Sequence, residues 1–338
     1  MTRPKNSKEP TSVHLDEFDL IEELFAPLAA TAPLAFGLTD DAALFQPVPG
    51  HELVLTKDMI VAGVHFFADD PPDLIARKLL RVNLSDLAAK GARPCGYLLG
   101  AAFPDKTSLD WMRAFAEGLA ADQAEFGIAL WGGDTVRTPG PAVFSVTAMG
   151  EVAAGKLVRR AGARVGDGLY VTGTVGDGAL GLKTARGEIA GMAAADADFL
   201  LGRYRLPLPR VAFGLRLAGF ATACLDVSDG LAADLGHLCD VSNVGARLEA
   251  ALLPLSPPAA RALAADPGLM MAILTGGDDY ELLFAAPADR ADEIAHAARE
   301  TATPVRRIGE VRDAAERLRV LNPDGAELTL EPTGYRHF

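Results

Sequence analysis

Ala223-Cys224-Leu225-Asp226-Val227-Ser228-Asp229-Gly230-Leu231 reads as a short β-prone run, an acidic turn and the start of a helical pattern that continues to about Cys239. Asp beside Gly or Ser is ordinary turn chemistry when met once. Here related motifs recur along the chain: Thr39-Asp40-Asp41, Thr56-Lys57-Asp58, Asn83-Leu84-Ser85-Asp86, Gly132-Gly133-Asp134-Thr135 and Gly276-Gly277-Asp278-Asp279. Any one of them suits a cap or a turn. Capping does not account for acidic motifs at so many expected strand ends. Hard cations such as Mg²⁺ take carboxylate oxygens and share them with substrate phosphates. Bare carboxylates would repel a triphosphate, whereas divalent cations between the two hold it. The chain therefore reads as an Mg-nucleotide enzyme, with Asp41, Asp58, Asp86, Asp134, Asp226 and Asp229 as candidate ligands or their supports.

Outward from these motifs, short strands alternate with helices. Glu52 to Thr56 is β-prone and runs into Thr56-Lys57-Asp58. Pro71-Pro72-Asp73 marks a helix start with Asp73 as N-cap, and Gly91 ends that helix. Leu80, Leu84 and Leu87 form its core stripe, while Asn83 and Asp86 share a separate face. Strands are expected over Tyr97 to Phe103, Ile128 to Trp131 and Ala142 to Met149, with a helix over Leu109 to Phe126. The Gly/Arg/Lys-rich stretch Gly155 to Gly168 ends in Val165-Gly166-Asp167-Gly168, a turn signal, and the domain boundary is placed there. The second half opens with a strand over Leu169 to Thr172, then a helix after Gly176. Met270 to Leu274 delivers the second Gly-Gly motif, and Glu281 to Ala285 is a further strand. The expected fold class is α/β with an α+β flavour, in two domains: residues 14–155 and 156–338, after a disordered tail over 1–13.

Bulk properties narrow the function. The 338 residues suffice for two ordinary domains, and 49% hydrophobic content supplies a core. A formal charge of −13 disfavours a nucleic-acid binder, which needs a basic face. Cys95, Cys224 and Cys239 form no CxxC pair, which fits a reducing cytoplasm. Met1 to Val13 lacks the apolar core of a secretory signal, and no apolar run reaches membrane-spanning length.

Some motifs stay double-valued. Gly176-Asp177-Gly178-Ala179-Leu180-Gly181 fits the dinucleotide pattern, but the carboxylate expected about twenty residues on has no strand end to carry it. Tight glycine packing is the preferred reading over an NAD(P) site. Arg159-Arg160 suits either a solvated pair or a phosphate clamp. His65, flanked by apolar residues, suits a satisfied core or edge position. Neither a Walker A motif nor the protein-kinase signature set occurs.

The ordered set Asp40-Asp41, Lys57-Asp58-Met59-Ile60-Val61-Ala62-Gly63-Val64-His65-Phe66, Asn83-Leu84-Ser85-Asp86-Leu87-Ala88-Ala89, Gly132-Gly133-Asp134-Thr135, Asp226-Val227-Ser228-Asp229-Gly230-Leu231 and Gly276-Gly277-Asp278-Asp279-Tyr280-Glu281-Leu282 resembles the thiamine-monophosphate kinase family. The ending Gly334-Tyr335-Arg336-His337-Phe338 is similar to that family's C-terminus. The resemblance spans about Asp16 to Phe338. It implies two α/β domains, the first dimerising through its sheet to give a homodimer. It also implies ATP-dependent phosphorylation of thiamine monophosphate to thiamine diphosphate, the last step of thiamine diphosphate biosynthesis, with several Mg²⁺ ions. By motif, Asp41, Thr56, Asp58, Asp86, Asp134 and Asp226 match Mg²⁺ positions, and Asp229 matches a further ion's. Lys57 occupies the middle of the family's Ser-Thr-Asp triplet, inside that metal region. Gly133, Asp134, Arg160 and Ser228 match ATP-contacting positions, and His65, Asp278 and Tyr335 match substrate contacts. Asp86, Asp134, Arg160 and Asp229 are the expected catalytic set. Thr39, Lys57 and Asp278 depart from the family's Gly, Thr and Glu. The alternative is the sister activity, an aminoimidazole ribonucleotide synthase-like ATP-dependent ligase, and a non-catalytic nucleotide-binding module is the reading from another class.

Overall fold

The computed structural model describes residues 17–322 and 324–329. The tail expected over 1–13 and the C-terminal Tyr335 motif lie outside the described residues. The architecture is mixed α/β, with helices packed on two separate sheets. A short helical segment, α1 (Glu17–Leu20), leads in.

The first sheet holds β1 (His51–Val61), β2 (Arg93–Pro104), β3 (Ala129–Thr138) and β4 (Val143–Ala153), in the order β1-β4-β2-β3. Helices α2 (Pro72–Ala89) and α3 (Leu109–Phe126) pack on one of its faces. Strands β2 and β3 are parallel, joined through α3, and β4 runs antiparallel to both β1 and β2. Helix α3 starts at Ser108, whose side chain accepts from Trp111 N–H, and stops at Gly127 in the left-handed region. Period-two alternation assigns β1 its two faces. Ile60 is buried under the helices with Val54, Thr56 and Asp58 half-buried beside it, while Leu53, Leu55, Lys57 and Met59 are exposed on the other face.

The second sheet has the order β10-β7-β9-β5-β8-β6. Its strands are β5 (Gly168–Thr172), β6 (Ala223–Asp226), β7 (Gly245–Glu249), β8 (Leu282–Ala286), β9 (Val305–Arg312) and β10 (Leu318–Leu321). Only β10 and β7 pair in parallel; the other pairings are antiparallel. The remaining helices are α4 (Asp177–Ala185), α5 (Ala194–Arg205), α6 (Val211–Gly214), α7 (Leu231–Ser242), α8 (Pro257–Ala265), α9 (Leu269–Thr275) and α10 (Ala291–Glu300). Among the described residues no helix is long and apolar enough to cross a membrane.

Several elements differ from the sequence expectation. Thr56-Lys57-Asp58 and Gly132-Gly133-Asp134-Thr135 lie within strands rather than at strand ends. Asp73 sits in the first turn of α2, whose N-cap is Pro71. Most of α2 is buried, including Asn83 and Ser85, so it has no open polar face. The reason is its position at the seam. It packs on the first sheet and on α3, and its C-terminal Ala88 and Ala89 join the aromatic cluster of Phe213, Phe220 and Phe284 from the second half. A Cβ on Gly214 would overlap the Ala88 carbonyl, so the glycine is what lets α6 approach α2.

Candidate active site

Three elements bring acidic side chains to the seam. Strand β1 supplies Thr56 and Asp58, α2 supplies Asp86, and the end of β6 supplies Asp226 followed by Ser228 and Asp229. Thr56 Oγ1 donates a short hydrogen bond to Asp86 Oδ2. Asp58 N–H donates to Asn83 Oδ1 at 3.1 Å. Across the seam, Ser85 Oγ donates to Asp226 Oδ2 at 2.7 Å.

Burial governs the charges here. It pushes the Asp58 carboxyl up to about 7, and the neighbouring Asp86 and Asp229 charges push the same way. Asp86 is likewise raised by burial, against the Thr56 hydrogen bond and the Lys90 and Arg160 charges, which lower it. Asp226 is raised well above the ordinary range by burial and then by Asp86. A buried carboxylate group that repels itself is what a hard cation relieves. The donor set of Thr56, Asp58, Asp86, Asp226 and Asp229 is all oxygen, so it fits Mg²⁺. Among the described residues, no three His, Cys, Asp or Glu side chains yet converge closely enough to grip an ion. Thr56 engages one oxygen of Asp86, and Ser85 one oxygen of Asp226.

Strand alternation separates the rest of the expected set. Lys57 points to the opposite face of β1 from Thr56 and Asp58, where its ammonium donates to Ser145 Oγ. An ammonium offers donors and no acceptor, so Lys57 has no place in a cation's ligand set. It lines an outer cleft of about 690 Å³ with Asp40, Asp41, Gly132, Gly133, Asp134 and Thr135. Asp134 stands opposite Gly100 on β2, which faces Ser145 on β4, which faces Met59 on β1. Three strand spacings, roughly 14 Å, therefore divide Asp134 from the β1 residues. Within one chain, Asp134 and Asp58 share no ion in this arrangement.

The remaining site residues gather at the loops of the second half. Asp278 N–H donates to Ser228 O at 3.0 Å and Tyr280 N–H to Val227 O at 2.8 Å, which joins the two loops backbone to backbone. A Cβ on Gly277 would overlap the Ser228 carbonyl, which is why glycine stands there. His65 Nδ1 accepts from Val61 N–H at 3.1 Å. Lys78 Nζ reaches both the His65 carbonyl and the Asp278 carboxylate at 3.0 Å, linking two of the expected substrate positions. Arg160 is exposed, and its charge acts on Asp86 and Asp234.

Sequence reasoning missed three carboxylates or cations with clear work. Asp234 Oδ2 accepts from Ser228 N–H at 3.1 Å and Asp229 N–H at 3.0 Å, and burial pushes it up to about 7. Its signal was an acidic residue in the first turn of the helix after the Asp-Val-Ser-Asp-Gly motif. Asp279 accepts from Gly176 N–H at 2.6 Å and Gly178 N–H at 3.0 Å. The Gly176–Gly181 motif is thus an internal clamp, with its amides spent on a buried carboxylate. Lys78 gave no sequence signal, because helical spacing does not announce a buried lysine.

Two family models match the chain: the AIR synthase related protein N-terminal domain over residues 39–152 and its C-terminal domain over residues 164–320. A thiamine-monophosphate kinase of Caulobacter vibrioides is 45% identical over 305 residues, 89% of this chain and 85% of that one. The crystal structure of thiamine-monophosphate kinase from Stenotrophomonas maltophilia K279a superposes with a TM-score of 0.82 at 43% identity, covering 93% of this chain and 98% of that one. AaThiL complexed with AMPPCP and TMP superposes with a TM-score of 0.76 at 29% identity, covering 95% and 97%.

Proposed function

The chain belongs to the AIR synthase related family and, within it, to the thiamine-monophosphate kinases, and from that premise we propose how its residues carry out the family's reaction. The reaction is ATP-dependent phosphorylation of thiamine monophosphate to thiamine diphosphate, with ADP as the other product. The observation that carries the residue assignment is the buried group of Asp58, Asp86 and Asp226, drawn from three elements and raised by burial and mutual repulsion.

The attacking atom is an oxygen of the acceptor phosphate. A phosphate monoester's second pKa is about 6, so much of it is already dianionic at pH 7 and no strong general base is required. The chain's task is to hold two polyanions together in line, which is most of the catalysis in phosphoryl transfer. Mg²⁺, when bound, supplies the positive charge that lets carboxylates and phosphates share a site. Thr56, Asp58, Asp86, Asp226 and Asp229 would hold it on the inner side of the first sheet, and Asp41 and Asp134 would hold an ion on the outer side. Arg160, whose charge acts on Asp86 and Asp234, faces the phosphates from the seam. Lys57 and the Gly133 amide serve anionic oxygens in the outer cleft, and Ser228 contacts ATP beside Asp229. His65, Asp278 and the C-terminal Tyr335 contact thiamine monophosphate.

Support for a homodimer comes from the outer face of the first sheet. Leu53, Leu55, Met59, Leu98 and Val136 are exposed there, and Leu55 is 62% accessible. Large apolar side chains exposed together on one sheet face mark an interaction surface. With the twofold axis along the strands, β3 of one copy lies over β1 of its partner. That pairing would bring the outer cleft of one copy to edge strand β1 of the other, so that phosphates at that edge lie between the cleft and the carboxylates on the inner face of β1. The domain division near residue 155 is supported by the first sheet ending at Ala153 and the second beginning at Gly168.

The test is direct: incubate the protein with ATP, Mg²⁺ and thiamine monophosphate and separate the products. Thiamine diphosphate forms one-for-one with ADP, and only with Mg²⁺. ATP hydrolysed without diphosphate formation would contradict the assignment.

A further inference from the structure

Lys78 is 2% exposed and sits where three groups converge. Its ammonium lies 3.0 Å from Asp278 Oδ1, 3.0 Å from the His65 carbonyl oxygen and 3.7 Å from the centroid of the Tyr204 ring. Tyr204 in turn donates its hydroxyl to the same His65 carbonyl at 3.2 Å. A cation over an aromatic face with two oxygen partners is fully satisfied and held in place. Asp278 is fixed from its own side as well. It and Tyr280 adopt left-handed backbone, φ 69° and 52°, on either side of Asp279, whose carboxylate clamps the Gly176 and Gly178 amides. Non-glycine residues hold such angles only where the surroundings over-determine them.

The Asp278 side chain is 28% accessible, against 3% for that of Lys78. Among the described residues, no hydrogen bond reaches Asp278 Oδ2. One carboxylate oxygen is therefore neutralised by a buried ammonium, and the other is offered outward. A carboxylate so paired has little net charge left for a second cation. It remains a good acceptor for a neutral N–H donor.

Resting on the kinase reading and on Asp278 as a substrate contact, we propose that Lys78 is a positioning residue that sets what Asp278 recognises. It directs Asp278 Oδ2 to the amino group of the substrate's aminopyrimidine and away from the positive thiazolium ring. This makes Lys78 a determinant of acceptor specificity without contact to the transferred phosphoryl group.

The experiment compares thiamine monophosphate with oxythiamine monophosphate, in which oxygen replaces that amino group, in the wild-type enzyme and in Lys78→Met, Asp278→Ala and the double variant. The wild type prefers the amino substrate by about tenfold or more in KM, the worth of one partly exposed hydrogen bond. Lys78→Met raises KM for thiamine monophosphate about tenfold and erases the preference, while kcat and the ATP KM stay within about twofold. The double variant is no worse than Asp278→Ala, because both changes remove one recognition unit. Effects that multiply in the double variant, or an ATP KM that rises as much as the acceptor KM, would overturn the role. A wild type that makes thiamine diphosphate but treats both acceptors alike overturns this inference alone; one that makes none overturns the kinase reading with it.

Discussion

The two faces of strand β1 carry opposite chemistry. The inner face presents Thr56 and Asp58 to a buried acidic seam, while the outer face presents Lys57 to an open cleft flanked by exposed Leu55 and Met59. Residues adjacent in sequence thus belong to different surroundings, because side chains on a strand alternate. The inner group is crowded with negative charge, and burial lifts its carboxylates toward neutrality. The outer group has its charges spread around an accessible hollow, with a lysine among them. The lesson is that one linear motif presents its neighbouring side chains to two surroundings, one buried and acidic, the other open and carrying a lysine.

Substitutions separate the two faces. Asp86 stands where Thr56, Asp58 and Asp226 act on one another, so Asp86→Asn is the most damaging change. We expect kcat to fall about a thousandfold with the fold retained, as circular dichroism and a melting curve would show. Activity retained with Mg²⁺ would remove Asp86 from the inner group. Asp134→Asn tests the outer group: a fall of about a hundredfold is expected, partly recovered at high Mg²⁺. Arg160→Ala should cost about tenfold, read as a raised ATP KM or a lowered kcat, since exposed Arg160 has solvent as a competitor. Unchanged kinetics would return Arg160 to a solvated surface pair.

The smallest effect is on stability. Asp58 and Asp234 are pushed up to about 7 in the folded chain by burial, far above the unfolded value near 4. Raised carboxyls of this kind contribute stability that is present at low pH and lost as pH rises through 7. The metal-free protein should therefore melt about 5 °C lower at pH 8 than at pH 5, and Mg²⁺ should remove most of that difference by relieving the inner charges. A pH slope unchanged by Mg²⁺ would argue that the inner group takes no cation.

Much of the fold was legible in the chain. Helix α3 is bounded where Ser108 and Gly127 bound it, and the strand-turn-helix at Ala223 to Ser242 follows its apolar run and its acidic turn. What was not legible depended on tertiary context. Leu80, Leu84 and Leu87 read as one stripe of an amphipathic helix, yet α2 is buried nearly all round because the second half packs on its remaining sides. The Gly176–Gly181 motif reads as tight glycine packing, but the carboxylate that holds its amides, Asp279, lies a hundred residues on and leaves no local signal. The inner acidic residues were legible by type. Their separation from Lys57 and Asp134 required the strand register, which no local pattern reports.

On the proposed mechanism, the inner carboxylates of one copy and the outer cleft of its partner serve a single phosphoryl transfer. Mixing the inactive Asp86→Asn and Asp134→Asn proteins, with exchange of subunits, tests it most directly. If the claim holds, half the dimers carry one intact site, and thiamine diphosphate formation returns to about a quarter of the wild-type rate. No recovery after verified subunit exchange would contradict it, and would place both groups of a working site within one chain.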